Sequence, residues 1–164
     1  MTDLYELLQE TELTEPALIL ALSGWVDAGG SGTGAAEFLA EGGTEVVRFN
    51  SDALFDYRAN RPTVRFRDGR MTAVEWPHLT MYRRPLDDRD LLVLVGNEPD
   101  FKWRAFAEAV VDLMERLGAN LIITIGAVPA AVPHTYPPPV MMTASSDELV
   151  GSDDVALGDD LDVP

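Results

Sequence analysis

Cysteine is absent from this sequence of 164 residues, and lysine occurs once, as Lys102. Without cysteine the chain forms no disulfide bond and has no thiol to serve as a nucleophile or metal ligand, which favours a reducing cytosol as its compartment. Long apolar runs are absent too, since none reaches the roughly eighteen residues of a membrane-spanning helix. The first residues are acidic, so we expect no secretory or transit peptide.

Basic residues are missing from both ends of the chain. Residues 1–47 hold nine acidic side chains and residues 145–164 hold seven, whereas all twelve basic residues lie between Arg48 and Arg116. The formal net charge is −16, and a surface of this sign repels a phosphate backbone, so we expect no nucleic-acid partner. With 46% hydrophobic residues, the chain has the apolar material for one domain with a sizeable core.

The apolar patterning predicts an α/β fold. Four short runs are typical of strands: residues 17–22, 44–49, 91–95 and 121–125. Three of them are continuously apolar, which is expected for a mostly parallel central sheet covered on both faces. A helix over about 32–41, ended by Gly42-Gly43, follows the first strand. A second helix over 101–117, with Asp100 as N-cap and Gly118 after its last turn, connects the last two strands as a βαβ unit.

Residues 63–75 have a different pattern. Apolar and polar residues alternate over 63–67, Asp68-Gly69 is a strong two-residue hairpin turn, and the chain returns over 71–75. We therefore predict an antiparallel hairpin insertion with one solvent-exposed face.

The end of the chain differs from the rest. From about residue 144 it is acidic and has little helical or strand periodicity. We divide the chain into an α/β domain, residues 1–143, and an acidic segment, residues 144–164. That segment is either disordered or the start of a portion that is missing here.

A glycine-rich loop, residues 24–34, follows the first predicted strand and opens a helix. Such a loop can hold a phosphate on backbone N–H groups, and Gly30-x-Gly32-x-x-Ala35 with Asp52 further on matches a relaxed dinucleotide fingerprint. Seven residues separate the strand from Gly30 and no P-loop lysine follows, so we do not expect nicotinamide dinucleotide binding. A loop that binds an anion or small ligand and a loop that only packs tightly remain equal alternatives.

Polar residues also follow the third predicted strand, at the edge where open α/β sheets bind ligands. Glu98 is a candidate acid/base group or polar anchor, and Arg104 is a candidate clamp for an anion. In the structural alternative, Glu98 or Asp100 caps the next helix and Arg104 pairs with a neighbouring carboxylate. We favour the cap for Asp100, and the two interpretations of Glu98 are equal.

Histidines and two further arginines complete the candidates. His134, beyond the fourth predicted strand, could move a proton or bind a ligand, whereas His78 is expected in a surface loop. A lone histidine lacks the partners of a metal site, so we expect no bound metal. Arg58 and Arg61 could reach toward the glycine-rich loop and Asp27, or could belong to a surface turn.

Five motifs follow one another within residues 17–143. They are Gly24-Trp25-x-Asp27-Ala28-Gly29, Asn60-Arg61-Pro62-Thr63, Glu98-Pro99 with Trp103-Arg104, Gly126-Ala127, and Pro133-His134-Thr135. No single motif is diagnostic, but together, in this order and spacing, they resemble the proteasome assembly chaperone 2 family of actinobacteria and archaea. Members of that family are sometimes named as relatives of ATP-grasp enzymes or carboxylate–amine ligases.

The resemblance implies a three-layer α/β/α fold related to the purine nucleoside phosphorylase and hydrolase architecture. It also implies a cytoplasmic homo-oligomer without a cofactor that assists proteasome assembly, with proteasome subunits or other proteins as partners. Members of the family are longer, with a further block of strands and helices, and some end in a hydrophobic-Tyr-any tail. This chain ends instead at Leu161 to Pro164. We therefore expect the domain to be incomplete at its C-terminus and the chain to be an N-terminal fragment.

Two functions of different classes follow. The favoured one is a non-enzymatic, chaperone-like protein that binds partner proteins. The alternative is an enzyme or ligand-binding protein for a nucleoside-like or carboxylate substrate, in a cleft at the C-terminal ends of the strands. Its catalytic candidates are Asp27, Glu98 and His134, and its ligand-binding candidates are Gly24, Asp27, Gly29, Asn60, Arg61, Glu98, Arg104 and His134. An enzyme predicts that the three catalytic candidates converge at a pocket of about 300 Å³ or more, whereas a chaperone predicts an exposed apolar patch.

Overall fold

The structure, a computed structural model, describes residues 4–9 and 12–150. The chain forms two compact units, Met1–Pro129 and Ala130–Pro164. In the described part of the second unit, one short helical turn spans Asp147–Leu149, and the hydroxyl of its N-cap Ser146 accepts the N–H of Glu148. Most of the acidic segment that the sequence sets apart, including Leu161 to Pro164, lies outside the described residues.

Eight strands and three α-helices form in the described part of the first unit. The strands are Tyr5–Leu7 (β1), Ala17–Ser23 (β2), Thr44–Phe49 (β3), Thr63–Arg67 (β4), Arg70–Glu75 (β5), Leu79–Pro85 (β6), Asp90–Asn97 (β7) and Leu121–Thr124 (β8). The helices are Ser31–Ala40 (α1), Ser51–Leu54 (α2) and Trp103–Leu117 (α3). The predicted strands and helices correspond to β2, β3, β7, β8, α1 and α3, whereas the patterning does not predict β1, β6 or α2.

Six of the strands form one mixed sheet in the order β1-β3-β6-β7-β2-β8. The β7–β2 and β2–β8 pairs are parallel, and the other three pairs are antiparallel. The prediction of a mostly parallel sheet is therefore wrong. The reason is β6, which lies between β3 and β7 and is antiparallel to both. Its second half contains Arg83 and Arg84, so it lacks the continuous apolar run that marks β2 and β7.

The central strands bury both of their faces. Along β2, Leu18 packs in one core with Phe106 and Leu113 of α3, while the next residue, Ile19, packs in a second core with Ala36 of α1. Because neighbouring residues of a strand point to opposite faces, α3 and α1 cover opposite sides of the sheet. The apolar runs of β2 and β7 are thus confirmed as strands covered on both faces, in a mixed α/β fold.

The last strand of the sheet, β8, is more exposed than its sequence predicts. It pairs with β2 and, among the described residues, with no second strand. Ile122 and Ile123 point to opposite faces, and both are exposed. The predicted burial on both faces is wrong for this strand, because β8 lies at the edge of the sheet.

Helix α3 begins later than predicted. Its first residue is Trp103, and its N-cap is Lys102 in a left-handed backbone conformation (φ 57°) without a side-chain cap. The predicted cap, Asp100, forms hydrogen bonds elsewhere. The other end of the helix is confirmed, because Gly118 (φ 70°) donates its N–H to carbonyl oxygens of the last turn.

The predicted hairpin forms a separate two-stranded sheet of β4 and β5. Asp68 (φ 50°) and Gly69 (φ 74°) both have positive φ, as a type I′ turn requires, which confirms the turn. The prediction of a single exposed face is wrong, because every residue of the two strands except the half-buried Ala73 is exposed. No residue of the two strands belongs to either of the two hydrophobic cores, so neither face of the hairpin is covered.

Gly96 in β7 marks a close approach between backbones. A Cβ at this position would lie 2.1 Å from the carbonyl oxygen of His78, and the φ of Gly96 is +151°. We predict that Gly96→Ala lowers the free energy of unfolding by about 3 kcal/mol, because the backbone before β6 must move. Urea denaturation measures the change.

The matched control for this variant is Gly34→Ala. Gly34 lies inside α1, and a Cβ there would meet open space. This substitution should raise the free energy of unfolding by about 0.5–1 kcal/mol, since alanine favours the helix. If the two variants were equally stable, the assigned contact between β7 and the start of β6 would be wrong.

Candidate functional site

Two loops meet at the carboxyl ends of the parallel strands β2 and β8. Asp27, in the glycine-rich loop after β2, pairs with Ala127 after β8 as a single parallel bridge. The Ala28 N–H donates to the Ala127 carbonyl (2.9 Å), and the Ala127 N–H donates to the Val26 carbonyl (3.0 Å). The first and fourth motifs therefore adjoin, because parallel strands bring their carboxyl ends to one edge of the sheet.

The Asp27 side chain is buried (9% exposed) and binds the start of α1. Its Oδ1 accepts the N–H groups of Gly32 (2.8 Å) and Thr33 (3.1 Å), and its Oδ2 accepts the hydroxyl of Thr33 (2.5 Å). Both amides belong to the first turn of α1, whose N–H groups have no carbonyl partner inside the helix. A Cβ on Gly32 would lie only 3.1 Å from Oδ1, so glycine allows the close contact.

The pKa of Asp27 lies below its ordinary value of 3.8. Burial acts to raise this pKa, but the hydrogen bonds from the Thr33 hydroxyl and from the Thr33 and Gly32 amides outweigh it. The positive end of the α1 dipole also favours the charged carboxylate. Asp27 is therefore an ionised hydrogen-bond acceptor at neutral pH, and a general acid at this position would need the opposite shift.

This geometry bears on anion binding by the glycine-rich loop. An anion at a helix N-terminus binds the free amides of the first turn, and in α1 two of these amides are already bound by Asp27. Gly29 (φ 69°) and Gly30 (φ 67°) shape the turn that brings the carboxylate there. The Asp27 carboxylate occupies the position that an external anion would take at the start of α1. This supports the interpretation of a tightly packed loop. Ligand binding by Asp27 and Gly29 stays a prediction.

Glu98 joins the loop after β7 to the loop after β2. Its Oε2 accepts the N–H of Trp25 (3.1 Å), and its own N–H donates to the carbonyl of Ser23 (3.0 Å). The side chain lies so close to Gly24 that a Cβ there would stand 1.6 Å from Oε2. Glu98 does not cap α3, which has no side-chain cap, because its carboxylate binds the Trp25 amide instead. A role for Gly24 and Glu98 in ligand binding or catalysis stays a prediction.

Asp100 connects the same edge of the sheet to the Asn60 motif. Its Oδ2 accepts the N–H of Asp56 (2.7 Å) and the side-chain amide of Asn60 (2.8 Å). The N–H groups of Asp100 and Phe101 donate to the Leu54 carbonyl (2.9 and 3.0 Å). Asp100 thus holds the loop after α2 against the loop before α3. Its prediction as the cap of α3 is wrong because its carboxylate is used in this contact.

The candidate arginines lie at the surface. Arg58 pairs with Asp56 (3.3 Å) rather than with Asp27, and the Arg58 side chain is 90% exposed. Arg61, before β4, and Arg104, in the first turn of α3, are also exposed. Neither forms a hydrogen bond or ion pair with the residues that the structure describes. Both are accessible to a partner, and their binding of an anion stays a prediction.

His134 belongs to the second unit. Its side chain is exposed, in a turn closed by the Tyr136 N–H on the Pro133 carbonyl (3.0 Å). Asp27 and Glu98 belong to the first unit. The convergence of these three residues, and the role of His134 in catalysis or ligand binding, stays a prediction.

A groove of about 610 Å³ opens between α1 and the ends of β6 and β7. Its polar lining consists of Ser23, Thr33, Glu37, Glu41, His78, Tyr82 and Asn97. A second groove of about 400 Å³ is lined by Asn60 and Arg61 together with His78 and Asn97. Neither Asp27 nor Glu98 lines these two grooves, so the described carboxylate candidates and the described grooves do not coincide.

His78 and Asn97 are the polar residues that sequence reasoning missed. The His78 N–H donates to Oδ1 of Asn97 (3.1 Å), and the Asn97 N–H donates to the His78 carbonyl (2.8 Å). His78 is exposed before β6, as predicted, but it lines both grooves. Asn97 ends β7 directly before Glu98, so its position at the sheet edge was a usable signal. His78 had no such signal, because β6 is not predicted.

Metal ligands are not grouped in the described part of the chain. Residues 4–9 and 12–150 contain no cluster of three or more His, Asp or Glu side chains that could hold a metal ion. Over the same residues, each helix is too short or too polar to cross a bilayer. The chemistry that the structure does assemble at the sheet edge consists of carboxylates bound to backbone amides, as in Asp27 and Glu98.

Comparison with known proteins identifies the family. The sequence model of the PAC2 family matches residues 21–157. The chain belongs to the PAC2 family. This match confirms the resemblance to proteasome assembly chaperone 2 proteins that the five motifs indicate. No protein of curated function matches the chain.

Solved structures of three bacterial proteins resemble this one. A Corynebacterium glutamicum protein of unknown function is 34% identical with a TM-score of 0.82, and the match covers 99% of this chain and 63% of that one. A proteasome-assembly chaperone homologue from Mycobacterium tuberculosis is 30% identical with a TM-score of 0.67, over 74% of this chain and 53% of that one. A PAC2 family protein from Streptomyces avermitilis is 30% identical with a TM-score of 0.69, over 82% and 59%. The matched part is thus between half and two thirds of each relative's length.

We predict that Asp27→Asn lowers the free energy of unfolding by about 1–3 kcal/mol at neutral pH, because buried donors lose a charged acceptor. The folded-state pKa of Asp27 lies below 3.8, so its carboxylate contributes stability above this pH, and the contribution is lost as pH falls through the folded-state pKa. The stability difference between wild type and variant should therefore shrink on acidification below 3.8. Urea denaturation at a series of pH values measures it.

Asp88→Asn is the control for this prediction. Asp88 is exposed in the turn between β6 and β7, and its substitution should change the free energy of unfolding by less than about 0.5 kcal/mol. An Asp27→Asn variant as stable as wild type at neutral pH would contradict the structural role of this carboxylate.

Proposed function

We propose that this PAC2 protein is a non-enzymatic, proteasome-assembly-chaperone-like protein that binds partner proteins. Membership of the PAC2 family and the likeness to the Mycobacterium tuberculosis proteasome-assembly chaperone homologue support a chaperone-like role. Proteasome subunits are the partner class that this likeness favours. The site geometry supports binding rather than catalysis, because the candidate carboxylates hold loops together.

One observation carries the proposal: the carboxylates at the sheet edge are bound internally, while aromatic groups on the same loops face solvent. The carboxylate of Glu98 accepts the N–H of Trp25, and Phe101 lies three residues after Glu98 in the chain. Trp25 is 54% exposed, and Phe101 and Trp103 are exposed as well. Aromatic side chains are enriched at the centres of protein interfaces, where they contribute much of the binding energy. The edge therefore has the composition of a protein-binding surface.

The layer arrangement, the oligomeric state and the cellular compartment that the resemblance implies are part of the same proposal. With α1 and α3 on opposite faces of the sheet, we infer a three-layer α/β/α arrangement of the purine nucleoside phosphorylase type. A homo-oligomer in the cytoplasm fits a chaperone of this family and a chain without cysteine.

A small-ligand role is the second candidate, and the groove of about 610 Å³ favours it. Ser23 and Asn97 place hydrogen-bonding groups there at the carboxyl ends of β2 and β7. Burial raises the pKa of the Tyr82 phenol, which therefore stays a donor at neutral pH. Nucleosides and small carboxylates are the ligand classes to test by thermal shift. A ligand of this groove should lose its effect in Glu37→Ala, an exposed lining residue.

For partner binding, we predict that Trp25→Ala/Phe101→Ala weakens the affinity for proteasome subunits by at least about 30-fold, the loss of one strong interface anchor. The subunits come from the same source as the chain, and biolayer interferometry measures the dissociation constant. Circular dichroism should show that the variant keeps its fold, because both side chains are largely exposed.

Phe38→Ala is the matched control. Phe38 is a strongly exposed aromatic on α1, not on the loops that carry Trp25 and Phe101. It should leave the affinity unchanged within about threefold, a difference below 1 kcal/mol. Equal binding by the double variant and wild type would remove the sheet edge as the binding surface. Absence of any association, together with turnover of a nucleoside or carboxylate, would overturn the chaperone-like role.

A further inference from the structure

The groove beside α1 has the size and the lining of a ligand site. Its volume of about 610 Å³ lies within the roughly 300–1,000 Å³ that is typical of small-molecule pockets. Gly96 and Asn97 place it at the carboxyl end of β7, the edge at which open α/β sheets bind ligands. Phe38, Ala40 and Val95 add apolar surface. The groove therefore offers both space and apolar contact to a small molecule.

Two hydroxyl groups of the lining are available to a ligand. The Ser23 side chain, at the end of β2, forms no hydrogen bond with the residues that the structure describes. The Tyr82 oxygen accepts a hydrogen bond from Thr80. Burial raises the pKa of this phenol, and the nearby carboxylates of Glu45 and Glu37 act in the same direction, so Tyr82 stays protonated at neutral pH. Both hydroxyl oxygens can accept an N–H from a ligand.

The lining carries negative charge only. Glu37 and Glu41 line the α1 side of the groove, and no lysine or arginine is among its described lining residues. Both glutamates are exposed, and neither forms a hydrogen bond or ion pair within the described part of the chain. They stand about one helical turn apart, a rise of about 6 Å. The wall thus presents two unpaired carboxylates to the groove.

Groups behind the lining add to this negative potential. The ionised Asp27 carboxylate lies directly behind Thr33, whose hydroxyl it accepts (2.5 Å). The negative end of the α1 dipole also lies at the groove, because Ala40, the last residue of α1, belongs to the lining. The guanidinium of Arg84 donates to the Leu39 carbonyl (3.1 Å) in this last turn. This end of the helix therefore already holds one cationic group of the chain itself.

We propose that the groove binds a small aliphatic diamine. Its two ammonium groups pair with Glu37 and Glu41, and its carbon chain lies against the rings of Phe38 and Tyr82, which also attract a cation. A small carboxylate would meet like charge here, and a neutral nucleoside would gain nothing from the two glutamates. The inference rests on the small-ligand role that the groove favours, and it is independent of partner binding at the loop of Trp25.

Three ligands of equal length test the role of charge. They are 1,4-diaminobutane, 1,4-butanediol and butanedioate, which at neutral pH are doubly positive, neutral and doubly negative. Isothermal titration calorimetry of the full chain at low salt measures each dissociation constant. We expect about 100 μM for the diamine, and values at least about tenfold higher for the diol and the dicarboxylate. Salt should weaken diamine binding, because it screens the charge pairs.

A pair of charge-neutralising variants locates the site. Glu37→Gln/Glu41→Gln removes both carboxylates of the groove, and diamine affinity should fall at least about tenfold. The matched control is Glu108→Gln/Glu115→Gln on α3, where both side chains are exposed and lack a hydrogen bond or ion pair with any described residue. It changes the net charge of the chain by the same amount and should bind the diamine within about twofold of wild type. The comparison separates the groove from the general attraction of a chain of charge −16.

The opposite results would overturn the proposal. They are a diamine that does not bind, a diol that binds as tightly as the diamine, or a diamine affinity that falls equally, or not at all, in both variants. A nucleoside or carboxylate that binds in the groove while the diamine does not would keep the small-ligand role and refute the diamine. Binding of proteasome subunits is measured on the groove variant as well and should change by less than about threefold. The chaperone-like role is thereby tested separately.

Discussion

The carboxylate of Asp27 is the interaction on which the arrangement of the sheet edge depends. One buried side chain binds two amides and a hydroxyl at the start of α1, while its backbone neighbours bridge to Ala127. A strand, a helix and a second strand are thereby fixed relative to one another. Burial of the charge is unfavourable by itself, and three donors offset that cost. A residue used in this way is a poor proton donor, which favours a structural role for Asp27.

Other polar residues of these loops have the same structural role as Asp27. Glu98 and Asp100 use their carboxylates to hold neighbouring loops, and Asn60 completes the second of these contacts. Several residues of the five motifs therefore make the contacts that shape the loops of the first unit. What the loops offer outward is mainly aromatic surface, such as Trp25, and cationic groups, such as Arg104. This division, with carboxylates bound internally and aromatic and cationic groups facing outward, suits a protein that binds other proteins.

Local signals predicted much of the fold. The apolar runs of β2 and β7 and the Asp68-Gly69 turn depend on neighbours in sequence, and all three are confirmed. Strand β6 was missed because Arg83, which breaks its apolar pattern, is neutralised by Asp90 of β7, a contact (2.7 Å) that only the folded sheet creates. At the site, position after a strand drew attention to Asp27 and Glu98. Their partners were not predictable, because Thr33 and Trp25 reach them through loop geometry.

The pKa of the Asp27 carboxyl tests the structural account most directly. Carbon-13 NMR of the aspartate carboxyl groups, titrated with acid and assigned by comparison with Asp27→Asn, reports it in the folded protein. The account predicts a pKa below the ordinary 3.8, because the hydrogen bonds from Thr33 and Gly32 stabilise the charged form more than burial disfavours it. A pKa raised toward neutrality would contradict the account and return Asp27 to the candidates for acid/base catalysis.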